Sequence, residues 1–229
     1  MSATRYAVIW DLDGTLVDTA ELHFQAWVRT AGEMGKPFSR ADFAATFGRR
    51  NPEIIGGLFG EEFSDQAVAE LGSRKEDYYR AAARNGVTLL PGVRPLLRGL
   101  KEAGFYQGIG SSAPRGNIDL IMRLTETKPF FDAVVSMEDT QRGKPDPEVF
   151  LRAAERLGVP PVRSVVFEDA IAGVQAAKAG GMKCVAVSFV GHHPAERLEQ
   201  AGADRVVSTL QELSVADVQQ LLAVPADGH

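Results

Sequence analysis

A parallel α/β core interrupted by an all-helical insertion is the fold class this sequence predicts, and three observations carry it. The run Tyr6, Ala7, Val8, Ile9, Trp10 is apolar throughout, as a strand buried on both faces reads. Residues 16–90 then keep helical spacing without a convincing strand. From residue 91 onward short apolar runs alternate with helical stretches, which is the pattern of a parallel sheet covered by helices on both faces.

The elements follow in order. After the first strand, "DTAELHFQAWVRTAGEMG" opens with Asp18, which can cap a helix, and Glu21 stands three residues on as in a capping box. Phe24, Trp27, Val28, Ala31 and Met34 recur at helical intervals, and Gly35 can end the helix. "SRADFAATFG", "NPEIIGGLFG" and "SDQAVAELGSRKEDYYRAAARNG" continue the helical style. Beyond "LLPGVRPLLRGLKEAG", the runs "FYQGIGSS", "FDAVVS", "SVVFED", "CVAVSF" and "ADRVVS" read as strands. "NIDLIMRL", "PEVFLRAAERLG" and "AIAGVQAAKAGG" read as the helices between them. The predicted division is a core of residues 1–15 and 91–229 and a helical insertion of residues 16–90. The final "PADGH" is expected to fray.

The totals narrow the function. A chain of 229 residues can bury a sizeable core, and 45% apolar with 24% charged residues is ordinary for a globular protein. A formal charge of −5 gives no general attraction to nucleic acid or anionic membranes, and no basic run with interleaved aromatics appears. Cys184, the one cysteine, cannot form an internal disulfide and sits in a buried-strand pattern, which fits a reducing compartment. Neither a charged-then-apolar leader nor an apolar run of membrane-spanning length is present, so the expected location is the cytoplasm.

In open α/β sheets ligand sites lie beyond the carboxyl ends of the strands. Four runs deliver polar groups to that edge: Asp11 and Asp13; Ser111 and Ser112; "GKPDPE"; and Glu168 with Asp169. Four acids gathered from two strand ends repel one another unless a cation sits among them, and hard oxygen ligands of this kind suit Mg²⁺.

These residues resemble the haloacid dehalogenase-like (HAD) phosphotransferases. "DLDGTL" is similar to the first motif of that superfamily, and Ser111 ending "GIGS", Lys144 in "GKPDPEVF" and Glu168–Asp169 in "FEDAIAGVQAAKAGG" follow in the family's order. The likeness covers almost the whole chain and is to the branch holding β-phosphoglucomutase and phosphoglycolate phosphatase. It implies a Rossmann-like core with a small helical cap domain. It also implies Mg²⁺ held by Asp11, the Asp13 main-chain carbonyl and Asp169, with Glu168 behind an intervening water.

Under the same resemblance, Asp11 attacks phosphorus to form an aspartyl phosphate. Asp13 protonates the leaving oxygen and later takes a proton from the acceptor, a role that calls for a raised pKa. Lys144 adds positive charge against a phosphomonoester of roughly −1.5 to −2. Ser111 hydrogen-bonds a phosphoryl oxygen, and Ser112 and Thr15 are further phosphate-binding candidates. Pro145 and Pro147 stiffen the connection that presents Lys144, and Asp146 can cap a helix starting at Pro147. Family members that dehalogenate lack the second motif aspartate, so its presence here favours phosphoryl transfer.

Cap candidates are His23, near the mouth of the site, and the basic pair Arg74 and Lys75. "FGRRNPEII" departs from the mutases: Asn51 stands where a substrate-phosphate arginine is implied, with Arg49 and Arg50 beside it as substitutes. His192 and His193 read as loop residues. The expected activity is a phosphatase acting on a small phosphorylated metabolite of the sugar-phosphate type, with a hexose-phosphate mutase as the alternative. No nucleic-acid or membrane partner is expected, and a monomer leaves the cap room to move. A phosphoacceptor signalling domain shares the acidic pocket and lysine, but such domains are far shorter and have no inserted cap.

Overall fold

The computed structural model describes residues 5–59 and 63–223. Strand β1 (Ala7–Trp10) is followed by four helices before the chain re-enters the sheet: α1 (Ala20–Glu33), α2 (Arg40–Thr46), α3 (Asn51–Phe59) and α4 (Asp65–Ala83). After α5 (Val93–Glu102) strands and helices alternate: β2 (Tyr106–Gly110), α6 (Arg115–Leu124), β3 (Ala133–Val135), α7 (Glu148–Leu157), β4 (Ser164–Glu168), α8 (Ile171–Ala179), β5 (Lys183–Val187), α9 (Ala195–Gln200), β6 (Arg205–Val207) and α10 (Val215–Ala223).

The six strands form one parallel sheet in the order β3-β2-β1-β4-β5-β6. The alternation of β1 explains its unbroken apolar run. Val8 and Trp10 enter the core shared with α5, α6 and α10, whereas Ala7 and Ile9 enter the core on the opposite face with α7, α8 and α9. The chain builds β2 and β3 on one side of β1 and then β4 to β6 on the other, so the topological switch falls at the carboxyl end of β1.

Helices α1 to α3 and the first part of α4 have a separate core built on Phe24, Trp27, Phe38, Phe43, Phe47, Ile54 and Ile55. Each such side chain removed from water contributes about 1.5–3 kcal/mol before entropy is counted. The segments entering and leaving this unit run side by side: Leu90 N–H donates to the Leu16 carbonyl (3.0 Å), and Val17 bridges Leu89. Ser39 and Ser64 cap α2 and α4 with their side chains.

Several sequence expectations change. Helix α1 begins at Ala20, its N-cap is Thr19, and no side chain caps it, so the Asp18–Glu21 box does not form. Thr19 and Glu21 are engaged elsewhere, with Asp13 and with Arg40 respectively. Gly35, with φ of 68°, does follow the end of α1. Helix α7 starts at Glu148, one residue later than expected, and Asp146 Oδ1 accepts the Glu148 N–H (3.0 Å). Helices α9 and α10 were not anticipated. The expectation for "PADGH" lies outside the described residues. None of the described helices is long and apolar enough to cross a membrane.

Candidate active site

Asp11 continues β1, its N–H donating to the Phe167 carbonyl on β4 (2.9 Å), so its side chain emerges at the switch point. Lys144 Nζ, buried beneath it, donates to Asp11 Oδ1 (2.6 Å) and Glu168 Oε1 (2.5 Å). Glu168 is fully engaged, because its Oε2 accepts the N–H groups of Asp169 (2.7 Å) and Ala170 (2.6 Å). Asp169 differs. Its Oδ1 has only a distant approach from the Thr15 hydroxyl (3.5 Å), and its buried Oδ2 has no partner.

Two glycines make this packing feasible. A Cβ on Gly14, which has φ of 86°, would lie 2.1 Å from Asp169 Oδ2, and one on Gly173 would lie 1.7 Å from Glu168 Oε1. The motif glycine therefore serves both the backbone conformation and the close approach.

The electrostatics separate the two aspartates of the first motif. Burial pushes Asp11 up to about 7; Lys144 opposes this, and Glu168 and Asp13 add to it. Burial, together with Glu168 and Asp11, also lifts Asp169 well above the carboxylate range. Asp11, Glu168 and Asp169 each offer an oxygen within 4.8 Å of the others. Crowded carboxylates, one oxygen without a partner and a hard donor set are what a small divalent cation relieves. The residues present fit such an ion.

Asp13 corrects the sequence expectation of a raised pKa. Burial works to raise it, but His23, Thr19 and Lys75 outweigh that and hold the carboxyl below its ordinary value. Its Oδ1 accepts hydrogen bonds from the Thr19 hydroxyl (2.5 Å) and the Tyr79 hydroxyl (3.4 Å). His23 Nε2 approaches to 3.1 Å, out of line for a hydrogen bond. Lys75 Nζ lies 2.7 Å from His23 Nδ1 and donates to Glu76 Oε1 (2.9 Å). An ammonium only donates, so this contact requires Nδ1 to accept, which places the ring proton on Nε2. His23 stacks on Tyr79 at 4.0 Å, and Glu76 accepts further bonds from Asn51 (2.7 Å) and, across to α6, from Asn117 (2.6 Å).

The remaining candidates divide. Ser111 is buried at the end of β2, where its oxygen accepts the Ala113 N–H (3.1 Å) and its own O–H remains to donate. Ser112 and Arg49 line the cavity with Asp11, Asp13 and His23, and Arg49 is exposed at its edge. Thr15 is buried against Asp169. Arg50 leaves the cavity and donates to main-chain carbonyls of the core, so it is not placed to touch a bound phosphate. Arg74 faces solvent and pairs with Glu33. His192 packs on Phe43 and Phe47. The cavity these residues line has a volume of about 60 Å³.

Sequence reasoning missed Thr19, Glu76, Tyr79, Asn117 and Gly173. Tyr79 was within reach, since it stands one helical turn after Lys75 on α4. Asn117 and Gly173 carry no local signal, because each acts through a residue far along the chain.

Comparison with known proteins agrees with this geometry. A family model described as haloacid dehalogenase-like hydrolase matches residues 8–187. The chain is 35% identical over 216 residues to the β-phosphoglucomutase of Bacillus subtilis, covering 91% of this chain and 92% of that one. It is 30% identical over 209 residues to a phosphorylated carbohydrates phosphatase of Thermotoga maritima, covering 91% and 97%. Among solved structures, a β-phosphoglucomutase from Clostridium difficile superposes with a TM-score of 0.86 at 26% identity, over 96% of this chain and 97% of that one.

Proposed function

The chain belongs to the haloacid dehalogenase-like hydrolases, and within that family we propose that it is a Mg²⁺-dependent phosphatase of small phosphorylated metabolites working through an aspartyl phosphate on Asp11. Its phosphatase and phosphomutase relatives within that family support an enzyme of phosphoryl transfer. The observation that carries the finer reading is the division of labour between Asp11, against Lys144, and Asp13, against His23, Thr19 and Lys75. Sugar phosphates, the esters that several relatives' names point to, form the first panel to test.

Asp11 attacks phosphorus while Lys144 neutralises charge between nucleophile and phosphoryl oxygens, and the Ser111 hydroxyl donates to one of those oxygens. Asp11, the Asp13 main-chain carbonyl, Asp169 and Glu168 would hold Mg²⁺, which would supply the further positive charge that lets a carboxylate approach an anionic ester. Asp13, held ionised by His23, Thr19 and Lys75, is suited to take the proton from water in the second half of the cycle. An incoming phosphate dianion raises its pKa, as the first half, in which Asp13 protonates the leaving oxygen, requires.

Residues 16–90 act as a cap and residues 1–15 with 91–229 as the core in this reading, supported by the separate aromatic cluster of the inserted helices. Seating the cap brings His23 and Lys75 to Asp13 and excludes water from the acids. The departure from a mutase rests on Asn51, engaged with Glu76, and on Arg50, engaged with the core; neither is left for a second phosphate.

The test is product analysis with β-glucose 1-phosphate, Mg²⁺ and a trace of glucose bisphosphate, quantifying free phosphate beside glucose 6-phosphate. Predominant phosphate release is the expected result. Predominant glucose 6-phosphate would replace the phosphatase by a mutase and make Arg49 the second-phosphate contact. No Mg²⁺-dependent turnover by folded protein across a broad ester panel would overturn both.

A further inference from the structure

We propose that Arg50 is a positioning residue that latches the helical unit onto the segment presenting Lys144, so that the lysine is held on Asp11 when that unit is seated. The proposal rests on the reading of Lys144 as the cation that prepares Asp11.

Arg50 stands just before α3, and its guanidinium crosses to the core. Nη1 donates to the Gln141 carbonyl (2.9 Å), and Nη2 donates to those of Met137 (3.1 Å) and Thr140 (3.3 Å). A planar, permanently charged fork suits this fan of acceptors, and hydrogen bonds from an ionised donor are the stronger kind. From the opposite side, Glu148 Oε2 at the start of α7 accepts the N–H groups of Gln141 (3.0 Å) and Arg142 (2.9 Å). One short stretch is therefore held through its amides by the core and through its carbonyls by the helical unit. It leads directly into Lys144.

Gly143 completes the contact. A Cβ there would lie 2.2 Å from Glu53 Oε1 and 2.7 Å from Arg50 Cδ, so a larger residue would force the Glu53 and Arg50 side chains to shift. Lys144 is buried, with its Nζ between Asp11 and Glu168, and a displaced backbone would carry it off that geometry. Asn117 joins α6 to α4 through Glu76 and Arg80, and neither bond touches this stretch. Loss of Arg50 should loosen the approach to Lys144 while leaving the helical unit attached.

The experiment compares the Mg²⁺-loaded full chain with Arg50→Gln, Arg50→Lys, Lys144→Ala and the double variant Arg50→Gln/Lys144→Ala. The substrate is p-nitrophenyl phosphate, and amide hydrogen exchange is followed at residues 140–144 and in α6. Arg50→Gln is expected to lower kcat/KM about 100-fold, the scale of a misplacement near 1 Å. Arg50→Lys, keeping charge without the fork, should fall between. Exchange should quicken at 140–144 and stay unchanged in α6, and Arg50→Gln should cost nothing further in the Lys144→Ala background.

The proposal is overturned if Arg50→Gln keeps kcat/KM within about twofold. It is also overturned if activity falls with exchange at 140–144 unchanged, or if the two losses add. Lys144→Ala with full activity would instead remove the reading of Lys144 on which the proposal stands. Should Arg50→Gln not fold, Gly143→Ala is held to the same two readouts.

Discussion

Replacing Glu76 by Gln tests whether the polar cluster behind Asp13 is held together by charge. Glu76 is 4% exposed, and its oxygens accept from Asn51, Lys75 and Asn117. Burial works against its charge, yet Lys75, His23 and the two amides prevail and bring its pKa from 4.5 to about 2. At about 1.4 kcal/mol per pH unit, that displacement is worth about 3 kcal/mol.

A glutamine has one oxygen where the carboxylate has two. Either amide orientation turns its NH₂ toward a donor: toward Asn117 Nδ2 in one case, and toward Lys75 and Asn51 in the other. Asn117 cannot simply flip, since its Oδ1 already accepts from Arg80 (3.0 Å). The expected loss in Glu76→Gln is about 3 kcal/mol at pH 7, read by urea unfolding against the parent.

The pH dependence supplies the sign. The folded-state pKa lies below the unfolded one, so the contribution is complete above about pH 4.5 and is lost as pH falls toward about 2. The stability difference between parent and variant should shrink across that window. A variant within about 1 kcal/mol of the parent at pH 7, or a difference that does not change on acidification, would refute the account.

Three further outcomes follow from the acidic edge. Asp11→Asn should abolish turnover while raising the melting temperature of the metal-free protein at pH 8, because it removes one of the crowded carboxylates; lower stability than the parent would contradict the repulsion inferred there. Mg²⁺ affinity, measured calorimetrically, should strengthen from pH 6 to pH 8, since protons compete for Asp11, whose pKa lies at about 7, and for Asp169, which is also raised; equal affinity at the two pH values would count against these groups as ligands. Gly173→Ala should cut kcat by about 10-fold or more with little change in KM, by displacing Glu168 from Lys144; unchanged kinetics would show that the contact relaxes without consequence.

Much of the architecture was legible because it depends on local order along the chain. Six apolar runs, each closed by polar residues and separated by helical spacing, correspond to β1 through β6. Once the sheet is parallel, every strand delivers its carboxyl end to the same edge, so Asp11, Ser111, Glu168 and Asp169 had to assemble there. Helices α9 and α10 escaped because they are short and flanked by polar residues. A Ser214–Asp217 cap ahead of α10 was nonetheless present to be read.

The sequence by itself determined the fold class, the parallel edge and the identity of the acids and lysine on it, because periodicity and strand polarity are properties of neighbouring residues. Only the tertiary structure decided which of two adjacent basic residues turns inward: Lys75 and not Arg74 at His23, Arg49 and not Arg50 at the cavity. Adjacent residues on α4 point about 100° apart, and the packing of that helix against α1 and α6 chooses between them. The sign of the Asp13 shift was likewise decided in space. It comes from Thr19, His23 and Lys75 gathered around one carboxylate, and electrostatic interaction depends on distance through the folded chain, not along it.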